Sequence, residues 1–331
     1  MKVFLTGGTG YLGGEILQGL LAAGHQVTAL CRTPREDSSD GRLRWSVGDL
    51  RDGLSEDLLH QHRAVIHVAA LVKTWMRDRS EFDRANVAAY DRLLEAAYRA
   101  GVPKVIVTSS FLSLGPSPGP EPLRETDRRP RDHFLTDYER TKYLADEVTD
   151  RWTARGLAIS TLYPTVLFGP GSTTDGNLVG KVAWWIHTGK FPGVVGSGAF
   201  SWNFGYVPDV VRGHVQALER ALPGERYILG GENRSYVEVI RQLHTLLGRP
   251  PRPRFIPVGV AETLGSVLEA WAGLSGQTPE LTRGVAGVYR HHWAYSSEKA
   301  ERALGYGITP FDQALVATVG WVKTLTGWGK A

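Results

Sequence analysis

Short apolar runs alternate with amphipathic segments through the first half of the chain. The runs have the length and β-branched content of buried strands, and the segments between them repeat apolar residues at helical spacing. The predicted strands are Lys2–Thr6, Gln26–Cys31, Leu43–Val47, Ala64–Ala69, Val105–Ser109 and Ile159–Tyr163, and the predicted helices are Gly14–Ala23, Glu81–Ala100 and Tyr138–Arg155. Strands that alternate with helices form a parallel sheet covered on both faces, so the pattern predicts an α/β doubly wound sheet, the Rossmann fold.

The alternation breaks after Pro164, where a glycine-rich loop follows. Residues 1–165 are therefore predicted to form a dinucleotide-binding domain, and residues 166–331 mostly a smaller, mixed and mainly helical substrate-binding lobe. Segments at about 200–225 are expected to return to the first domain. The predicted elements of this half are strands Phe204–Val207 and Tyr227–Leu229 and helices Asn177–Thr188, Asp209–Leu222, Tyr236–Leu247, Val260–Ala272, Ser297–Leu304 and Phe311–Leu325.

Charge and cysteine content narrow the range of partners. The formal net charge is +4 and no block of Lys and Arg occurs, which suits a small anionic ligand and does not indicate nucleic acid. Cys31 is the one cysteine, so an intrachain disulfide is excluded and a reducing cytoplasm is expected. The first strand begins at Lys2 and no apolar run approaches the roughly 20 residues of a membrane span, so neither a signal peptide nor a membrane partner is expected.

A glycine-rich loop joins the first predicted strand to the first predicted helix. Gly7, Gly10 and Gly13 have the spacing G-x-x-G-x-x-G. The first suits a tight turn, the second a close approach of pyrophosphate to the backbone, and the third close packing of helix on strand. The free N–H groups at the helix start attract phosphate. This position predicts a dinucleotide site, and we assign Thr9, Tyr11 and Leu12 of the same loop to it.

The end of the second predicted strand favours NADP(H) over NAD. A site that prefers NAD carries an acidic residue there for the ribose 2′-hydroxyl. Here Arg32 follows Cys31, which suits a 2′-phosphate, and Arg35 is a second candidate; a solvated strand-end charge is the alternative for Arg32. After the third strand, Asp49, followed by Leu50, is predicted to hydrogen-bond the adenine amino group, the alternative being a turn residue.

Tyr138 and Lys142 have the spacing Y-x-x-x-K within a predicted helix. Residues four apart share one helix face, so the ammonium is expected beside the phenol and to lower its pKa. Such a phenol can exchange a proton with a substrate oxygen while hydride moves to or from a nicotinamide. Ser110 lies at the carboxyl end of a predicted parallel strand, where ligands of such sheets bind, and is predicted to polarise the carbonyl. Ser109 is predicted to face the cofactor.

These residues together resemble the extended short-chain dehydrogenase/reductase superfamily. The resemblance also covers Gly48–Leu50, His67–Ala70, Asn86–Val87, Pro164–Val166 and Tyr206–Val210, and closes with Ser297, Lys299, Ala300 and Leu304–Tyr306. It implies Ser110, Tyr138 and Lys142 as the catalytic triad, with Lys142 also holding the nicotinamide ribose. It further implies that Ala69, Ala70 and Leu71 line the cofactor and that Tyr163, Pro164 and Val166 flank the nicotinamide amide.

Within the superfamily the sequence is most similar to the dihydroflavonol-4-reductase-like group. The implied reaction is NADP(H)-dependent reduction of a ketone or aldehyde to an alcohol. The resemblance also implies a homodimer formed through the helices near Glu81–Ala100 and Tyr138–Arg155, although a solvated, Arg-rich face is an alternative there.

The alternative reaction is that of a nucleotide-sugar or sugar epimerase with tightly bound NAD. Such enzymes clamp a diphosphate with an arginine just before the segment Tyr206–Asp209, where Trp202 stands here. Their second arginine motif is absent from Arg290–Ala294. We therefore expect an uncharged, moderately hydrophobic carbonyl substrate in an aromatic pocket. Its predicted lining is Trp75, Phe111, Trp184, Trp185, Trp202 and Phe204.

Two further alternatives are disfavoured. A catalytically idle member of this fold typically lacks the tyrosine or the lysine, and both are present. A metal enzyme is disfavoured because the histidines, such as His60 and His62, form no ligand set at a recognised spacing, so no metal site is predicted.

Overall fold

Seven parallel strands form the central sheet of the protein, whose computed structural model describes residues 1–127 and 132–329. Across the sheet the order is β10 (Arg226–Leu229), β6 (Ile159–Pro164), β5 (Val105–Thr108), β4 (Ala64–His67), β1 (Lys2–Thr6), β2 (Gln26–Cys31) and β3 (Leu43–Val47). The chain moves to one edge after β1 and crosses to the other side at β4. Ligands of such sheets bind where the order reverses, beyond the carboxyl ends of the strands. The predicted fold class is confirmed.

Two layers of helices cover this sheet because its strands carry apolar residues on both faces. On one face, Val3 and Leu5 of β1 pack with α1 (Tyr11–Ala22), α7 (Val207–Arg220) and α11 (Glu298–Leu304). On the other face, Phe4 packs with α3 (Ala89–Arg99) and α5 (Asp137–Ala154). Alternate strand residues point to opposite faces, so successive residues of one strand serve two different cores.

The predicted helix Glu81–Ala100 is continuous but not uniform. It consists of α2 (Ser80–Asp83), a π-helical turn at Arg84–Ala88 and α3. A π turn of this kind often lies at a functional site, because the wider turn redirects the side chains on either side. Here it carries the buried Asn86, which faces the nucleotide side of the sheet.

The second lobe has its own small sheets and its own core. β7 (Val166–Phe168), β9 (Ser201–Tyr206) and β11 (Asn233–Ser235) form one sheet, and β8 (Val194–Val195) pairs with β12 (Phe255–Ile256). Aromatic and aliphatic side chains fill the space between these strands and the helices. The helices of this lobe are α6 (Leu178–His187), α8 (Tyr236–Leu246), α9 (Val258–Ser275), α10 (Arg283–Val288) and α12 (Phe311–Thr324).

The return of the chain to the central sheet overlaps the expected range of about 200–225 but begins and ends somewhat later. Strand β9 stays in the second lobe, because it pairs with β7 and β11. Helix α7 packs on α1, and β10 then joins β6 at the edge of the central sheet. The returning segment is therefore α7 and β10, a shift toward the C-terminus that follows from the pairing of β9.

Candidate active site

The glycine loop is tight enough to exclude side chains at two positions. Gly7 has a φ of +78°, and a Cβ built there would lie 2.6 Å from the backbone N of Ala69. A Cβ on Gly13 would lie 2.0 Å from the carbonyl oxygen of Gly7. Gly10 closes the turn with an N–H bond to that same oxygen at 2.9 Å. The loop thus has the close helix–strand packing of a dinucleotide-binding turn.

The first turn of α1 presents its backbone to the outside. Gly10 is its N-cap, no side chain caps it, and Thr9 and Gly10 are exposed. Tyr11 and Leu12, by contrast, are buried, so only their backbone groups face the loop surface. The Tyr11 hydroxyl donates to the carbonyl oxygen of Gly169 at 3.2 Å, which ties α1 to the loop that enters the second lobe.

Cationic side chains surround the end of β2. Arg32 and Arg35 are exposed, and Arg35 lies 5.2 Å from the ring centroid of Trp45. Asp49 accepts hydrogen bonds from the Arg51 guanidinium at 2.7 to 3.1 Å and caps the turn at the Arg51 N–H. These bonds, with Arg32 nearby, hold the pKa of Asp49 below its usual range.

Arg51 is a further cation at this edge that the sequence analysis does not single out. Its spacing of two residues from Asp49, within an N-cap turn, is the signal that identifies it. Asp49 is thus the N-cap of this turn. This role matches the alternative interpretation of Asp49 as a turn residue rather than as a ligand of the adenine amino group. Leu50 lies half-buried beside it.

Ser110, Tyr138 and Lys142 converge at the carboxyl end of β5. Ser110 caps the short helix α4 (Phe111–Leu114), and its side chain is hydrogen-bonded to the Tyr138 phenol. The Lys142 ammonium lies 5.9 Å from the centroid of the Tyr138 ring and donates to the carbonyl oxygen of Thr108 at 3.0 Å. The helical spacing in α5 thus brings the phenol and the ammonium to one face, as the Y-x-x-x-K pattern predicts.

The pKa of Tyr138 differs from the sequence expectation. Burial raises the pKa of its phenol well above the usual value, and the hydrogen bond from Ser110 offsets this only in part. Burial also lowers the pKa of the neighbouring Lys142 ammonium, to about 8, against the attraction of Asp146. The phenol therefore holds its proton at neutral pH.

Asp146 is a buried carboxylate at the centre of this group. It accepts hydrogen bonds from the hydroxyls of Ser109 at 2.7 Å, Ser113 at 2.7 Å and Tyr163 at 2.9 Å. It lies one helical turn after Lys142 on α5 and is 1% exposed. The bond from Ser109 fixes the end of β5, and the negative charge favours the ammonium form of Lys142. The sequence signal for Asp146 is its spacing of four from Lys142 and eight from Tyr138.

Asn86 holds the segment that follows β4. It accepts from the Leu71 N–H at 2.7 Å, donates to the Leu71 carbonyl at 3.2 Å, and donates to Thr141 of α5 at 3.1 Å. The Ala69 N–H is bound in turn by the Thr6 hydroxyl at 3.3 Å. Ala69, Ala70 and Leu71 are thereby fixed between the glycine loop and α5. A cleft lies there, lined among others by His67, Ala69, Ala70, Asn86, Ser109, Lys142 and Asp146.

The three residues expected beside the nicotinamide amide, Tyr163, Pro164 and Val166, differ in position and burial. Pro164 ends β6 and Val166 begins β7, so both lie where the chain leaves the central sheet. The Tyr163 side chain is fully buried and its hydroxyl donates to Asp146. The Tyr163 side chain therefore contributes to the site through Asp146, and the position of these three residues beside the nicotinamide amide stays a prediction.

The expected aromatic pocket divides into two groups. Trp75, Phe111, Trp184 and Trp185 are half-buried, so each keeps part of its ring accessible. Trp202 and Phe204 are 3% and 1% exposed and belong to the core of the second lobe, which corrects their assignment to the pocket. The reason is local packing: the Trp202 ring packs against both Tyr236 and Tyr289, which also contact each other, and Phe204 packs on two other phenylalanines.

Residues 1–127 and 132–329 contain no cluster of three His, Cys, Asp or Glu side chains that could hold a metal ion. Within the same ranges no helix combines the length and the apolar character that crossing a bilayer requires.

Similar proteins share this fold along nearly the whole chain. A candidate dihydroflavonol 4-reductase of Synechocystis sp. is 29% identical over 326 residues, which are 97% of this chain and 94% of that protein. The 2-alkyl-3-oxoalkanoate reductase of Stenotrophomonas maltophilia is 29% identical and covers 92% of this chain and 94% of its own. The crystal structure of MoeE5 with UDP-glucuronic acid and NAD superposes with a TM-score of 0.77 at 26% identity, over 98% and 99% of the two chains.

A family profile also matches the chain. The profile of the NAD dependent epimerase/dehydratase family matches residues 3–230. This range contains the glycine loop, Ser110, Tyr138 and Lys142, and it spans more than half of the chain. Homologues in this family include both reductases and nucleotide-sugar enzymes. The chain therefore belongs to the NAD dependent epimerase/dehydratase family, a family of extended short-chain dehydrogenase/reductase enzymes.

Proposed function

We propose that the protein is an NADP(H)-dependent reductase that converts an apolar ketone or aldehyde into an alcohol. The observation that carries the proposal is the position of the Tyr138 phenol, which is hydrogen-bonded to Ser110 and whose ring centroid lies 5.9 Å from the Lys142 ammonium. Burial raises the pKa of this phenol and so favours its protonated form. A protonated phenol suits proton donation to a carbonyl oxygen, which is the direction of reduction.

The residues around the glycine loop fit a dinucleotide. A Cβ at Gly7 or Gly13 would fill the space against the neighbouring backbone, and the uncapped N–H groups of α1 suit the pyrophosphate. Arg32 and Arg35 would meet a 2′-phosphate, with Arg51 close by. Lys142 and the backbone of Ala69 to Leu71 would hold the nicotinamide ribose and ring. When bound, the nicotinamide supplies the hydride that the carbonyl carbon receives.

The proton follows a short path within this chain's own residues. The Ser110 hydroxyl orients the substrate oxygen, and Tyr138 Oη gives that oxygen its proton as the carbon accepts hydride, so the C=O bond becomes CH–OH. The tyrosinate that remains is stabilised by the Lys142 ammonium and regains its proton from solvent. Asp146 holds Lys142 charged and Ser109 in place throughout the cycle.

Several features favour the reductase over the sugar epimerase. The end of β2 carries Arg32 and lacks the acidic residue that an NAD site uses. The position expected for a diphosphate-binding arginine is Trp202, an apolar side chain buried against Tyr236 and Tyr289. The half-buried aromatic rings of Phe111, Trp184 and Trp185 suit an apolar substrate. Among the relatives, the Synechocystis and Stenotrophomonas maltophilia proteins described above bear the names of reductases.

A titration of the purified protein with NADPH and NADH tests the proposal. We expect NADPH to bind on the order of 10 to 100-fold more tightly, because a charge-assisted contact to the 2′-phosphate is worth about 1.5–3 kcal/mol. Arg32→Gln should remove most of this preference, while Arg99→Gln, an exposed arginine paired with Glu95 on α3, should not change it. An equal affinity for both cofactors would reject the role of Arg32.

The reaction itself is tested by screening aliphatic and aromatic ketones and aldehydes for NADPH consumption. Tightly retained NAD in the purified protein, together with binding of a UDP-sugar, would instead identify an epimerase. The reductase should exchange NADPH freely and should not bind UDP.

A further inference from the structure

Helix α9 carries an apolar stripe on the outside of the second lobe. Val260, Leu264, Val267, Trp271 and Leu274 are each at least 50% exposed, and Leu274 is 80% exposed. They follow one another at spacings of four, three, four and three, so they lie on one side of the helix. Among the described residues, they account for five of the twelve large hydrophobic side chains that are exposed. Exposed apolar residues are normally scattered, so a continuous stripe indicates a binding surface.

The exposed side of α9 also lacks charge. Its two carboxylates, Glu262 and Glu269, lie on the opposite side and contact α10 and the turn that follows it. Glu262 pairs with Arg290 at 2.8 Å, and Glu269 accepts from the Arg283 N–H at 3.1 Å. The exposed residues that flank the stripe are small or weakly polar, such as Thr263 and Ala270. A surface helix of 18 residues that has no exposed charged side chain is suited to contact an apolar partner on its outer side.

A basic turn leads directly into this helix. Arg249, Arg252 and Arg254 are exposed, and none of the ion pairs among residues 1–127 and 132–329 includes any of them. Phe255, which follows, is 51% exposed. Three cations and an exposed phenylalanine thus immediately precede the start of α9 at Val258. Basic residues beside a stripe that contains Trp and Leu are the composition of helices that lie in the interface of an anionic membrane.

We propose that the stripe of α9 and the basic turn dock the protein on the surface of an anionic lipid bilayer. The bilayer supplies an apolar layer for the five side chains and negative headgroups for the three arginines. A second copy packed stripe against stripe would offer another uncharged surface, whereas an anionic bilayer offers both an apolar layer and the negative charge that complements the arginines. The sequence predicts no membrane partner because it contains no spanning segment, but a helix that lies in the plane of the surface needs none.

The position of α9 relates this surface to the proposed reaction. Helix α10, on which α9 packs, touches the segment before α5: a Cβ on Gly284 would lie 2.0 Å from the Leu135 carbonyl oxygen. Tyr138 lies only three residues after Leu135. Docking would therefore bring the membrane close to the helix that carries the catalytic phenol. If the proposed reduction of an apolar carbonyl compound holds, on which this last step rests, the bilayer is the source of that substrate.

Flotation of the full-length protein with lipid vesicles tests the docking without measuring activity. We expect binding to vesicles of phosphatidylcholine with added phosphatidylglycerol, weak binding to phosphatidylcholine alone, and loss of binding at high salt. Val267→Ser should weaken binding severalfold, while Val316→Ser, a valine of matched exposure on α12, should have no effect. Arg252→Gln with Arg254→Gln should weaken binding on the order of 30-fold, at about 1 kcal/mol for each cation.

Several outcomes would overturn the docking. They are failure of the wild-type protein to bind anionic vesicles, equal binding by Val267→Ser, and a dimer in solution that Val267→Ser dissociates without any vesicle binding. Reduction of a water-soluble ketone should be the same in Val267→Ser and the wild type. Vesicle binding without any reductase activity would reject the proposed function and leave the docking standing, whereas activity without vesicle binding would do the reverse.

Discussion

The central sheet and the second lobe hold their functional side chains in different ways. At the sheet, Ser109, Ser110 and Lys142 are fixed by hydrogen bonds at the end of β5 and along α5. Toward the lobe, aromatic rings are held by packing on other rings, as Phe111 of α4 is by Trp293 and Tyr295. Hydrogen bonds demand particular atoms at particular places, whereas apolar packing accepts many side chains of similar volume. We therefore infer that the sheet sets the chemistry and the lobe sets the substrate.

Replacement of Tyr138 by Phe is expected to have the largest effect on the sheet side. The variant keeps the ring but has no proton to donate, so the reduction rate should fall by about a thousandfold, within the range typical of a lost general acid. NADPH affinity should stay within about twofold, as measured by fluorescence titration. Turnover at the wild-type rate would remove Tyr138 from the mechanism.

Two neighbouring glycines of α1 provide a matched pair for the nucleotide loop. A Cβ at Gly13 would lie 2.0 Å from the Gly7 carbonyl oxygen, whereas one at Gly14 would lie 3.6 Å from the Gly8 oxygen, an ordinary contact. Gly13→Ala should therefore lower NADPH affinity on the order of 100-fold and destabilise the fold by about 1–3 kcal/mol. Gly14→Ala should raise the free energy of unfolding by up to about 1 kcal/mol through helix propensity.

Thermal unfolding and NADPH titration of both variants separate these effects. If Gly13→Ala binds NADPH as the wild type does, the close packing of helix and strand is not needed for the nucleotide, and the distinction drawn between the two regions loses its strongest support.

The same distinction explains what the sequence could predict. The strands β1, β2 and β3 have the predicted bounds, because each is a short apolar run between turn residues. The positions of Tyr138 and Lys142 on one face follow from helical spacing alone. In the lobe, the sequence analysis does not predict the short elements β7, β11, β12 and α10. A strand of two or three residues is too short to show a measurable periodicity.

The sequence also could not predict which aromatic side chains are buried inside the lobe. Nothing in the local pattern distinguishes Trp202, which is enclosed by Tyr236 and Tyr289, from the half-buried Trp184, because the enclosing residues come from distant segments. The direction of the pKa shift of Tyr138, at the end of the central sheet, could not be predicted for the same reason. The spacing to Lys142 is local, but the burial that raises the pKa comes from the surrounding fold.

The pH dependence of Asp146→Asn tests whether the buried carboxylate acts on Lys142. In the wild type the reduction rate should fall as pH rises through about 8, since the Lys142 ammonium loses its proton there. Removal of the negative charge takes away a stabiliser of that ammonium, so the fall should move to lower pH, with roughly a tenfold loss of kcat/KM at pH 8. Asp150→Asn, on the same helix and more exposed, is the control.

A merely structural role of Asp146 would lower the rate equally at all pH values and leave the midpoint where it is in the wild type. Asp146 is thus a positioning residue only if the midpoint moves, and the rate at low pH then measures how far the hydroxyls of Ser109 and Ser113 have been displaced.

The smallest effect is expected in the lobe, from Trp184→Ala. Trp184 is half-buried on α6, a helix whose N-cap Asn177 donates to the same Gly169 carbonyl oxygen as Tyr11 does, so α6 begins beside the nucleotide loop. Its loss should raise KM for a bulky ketone by about tenfold or less and leave kcat for a small aldehyde unchanged, because a pocket contact acts on binding and not on proton transfer. Trp321→Ala, a half-buried tryptophan on α12 that packs on Trp328, should leave both constants unchanged. A fall in kcat for every substrate with Trp184→Ala would show that the lobe contributes to the chemical step. It would contradict the inference that the sheet sets the chemistry and the lobe sets the substrate.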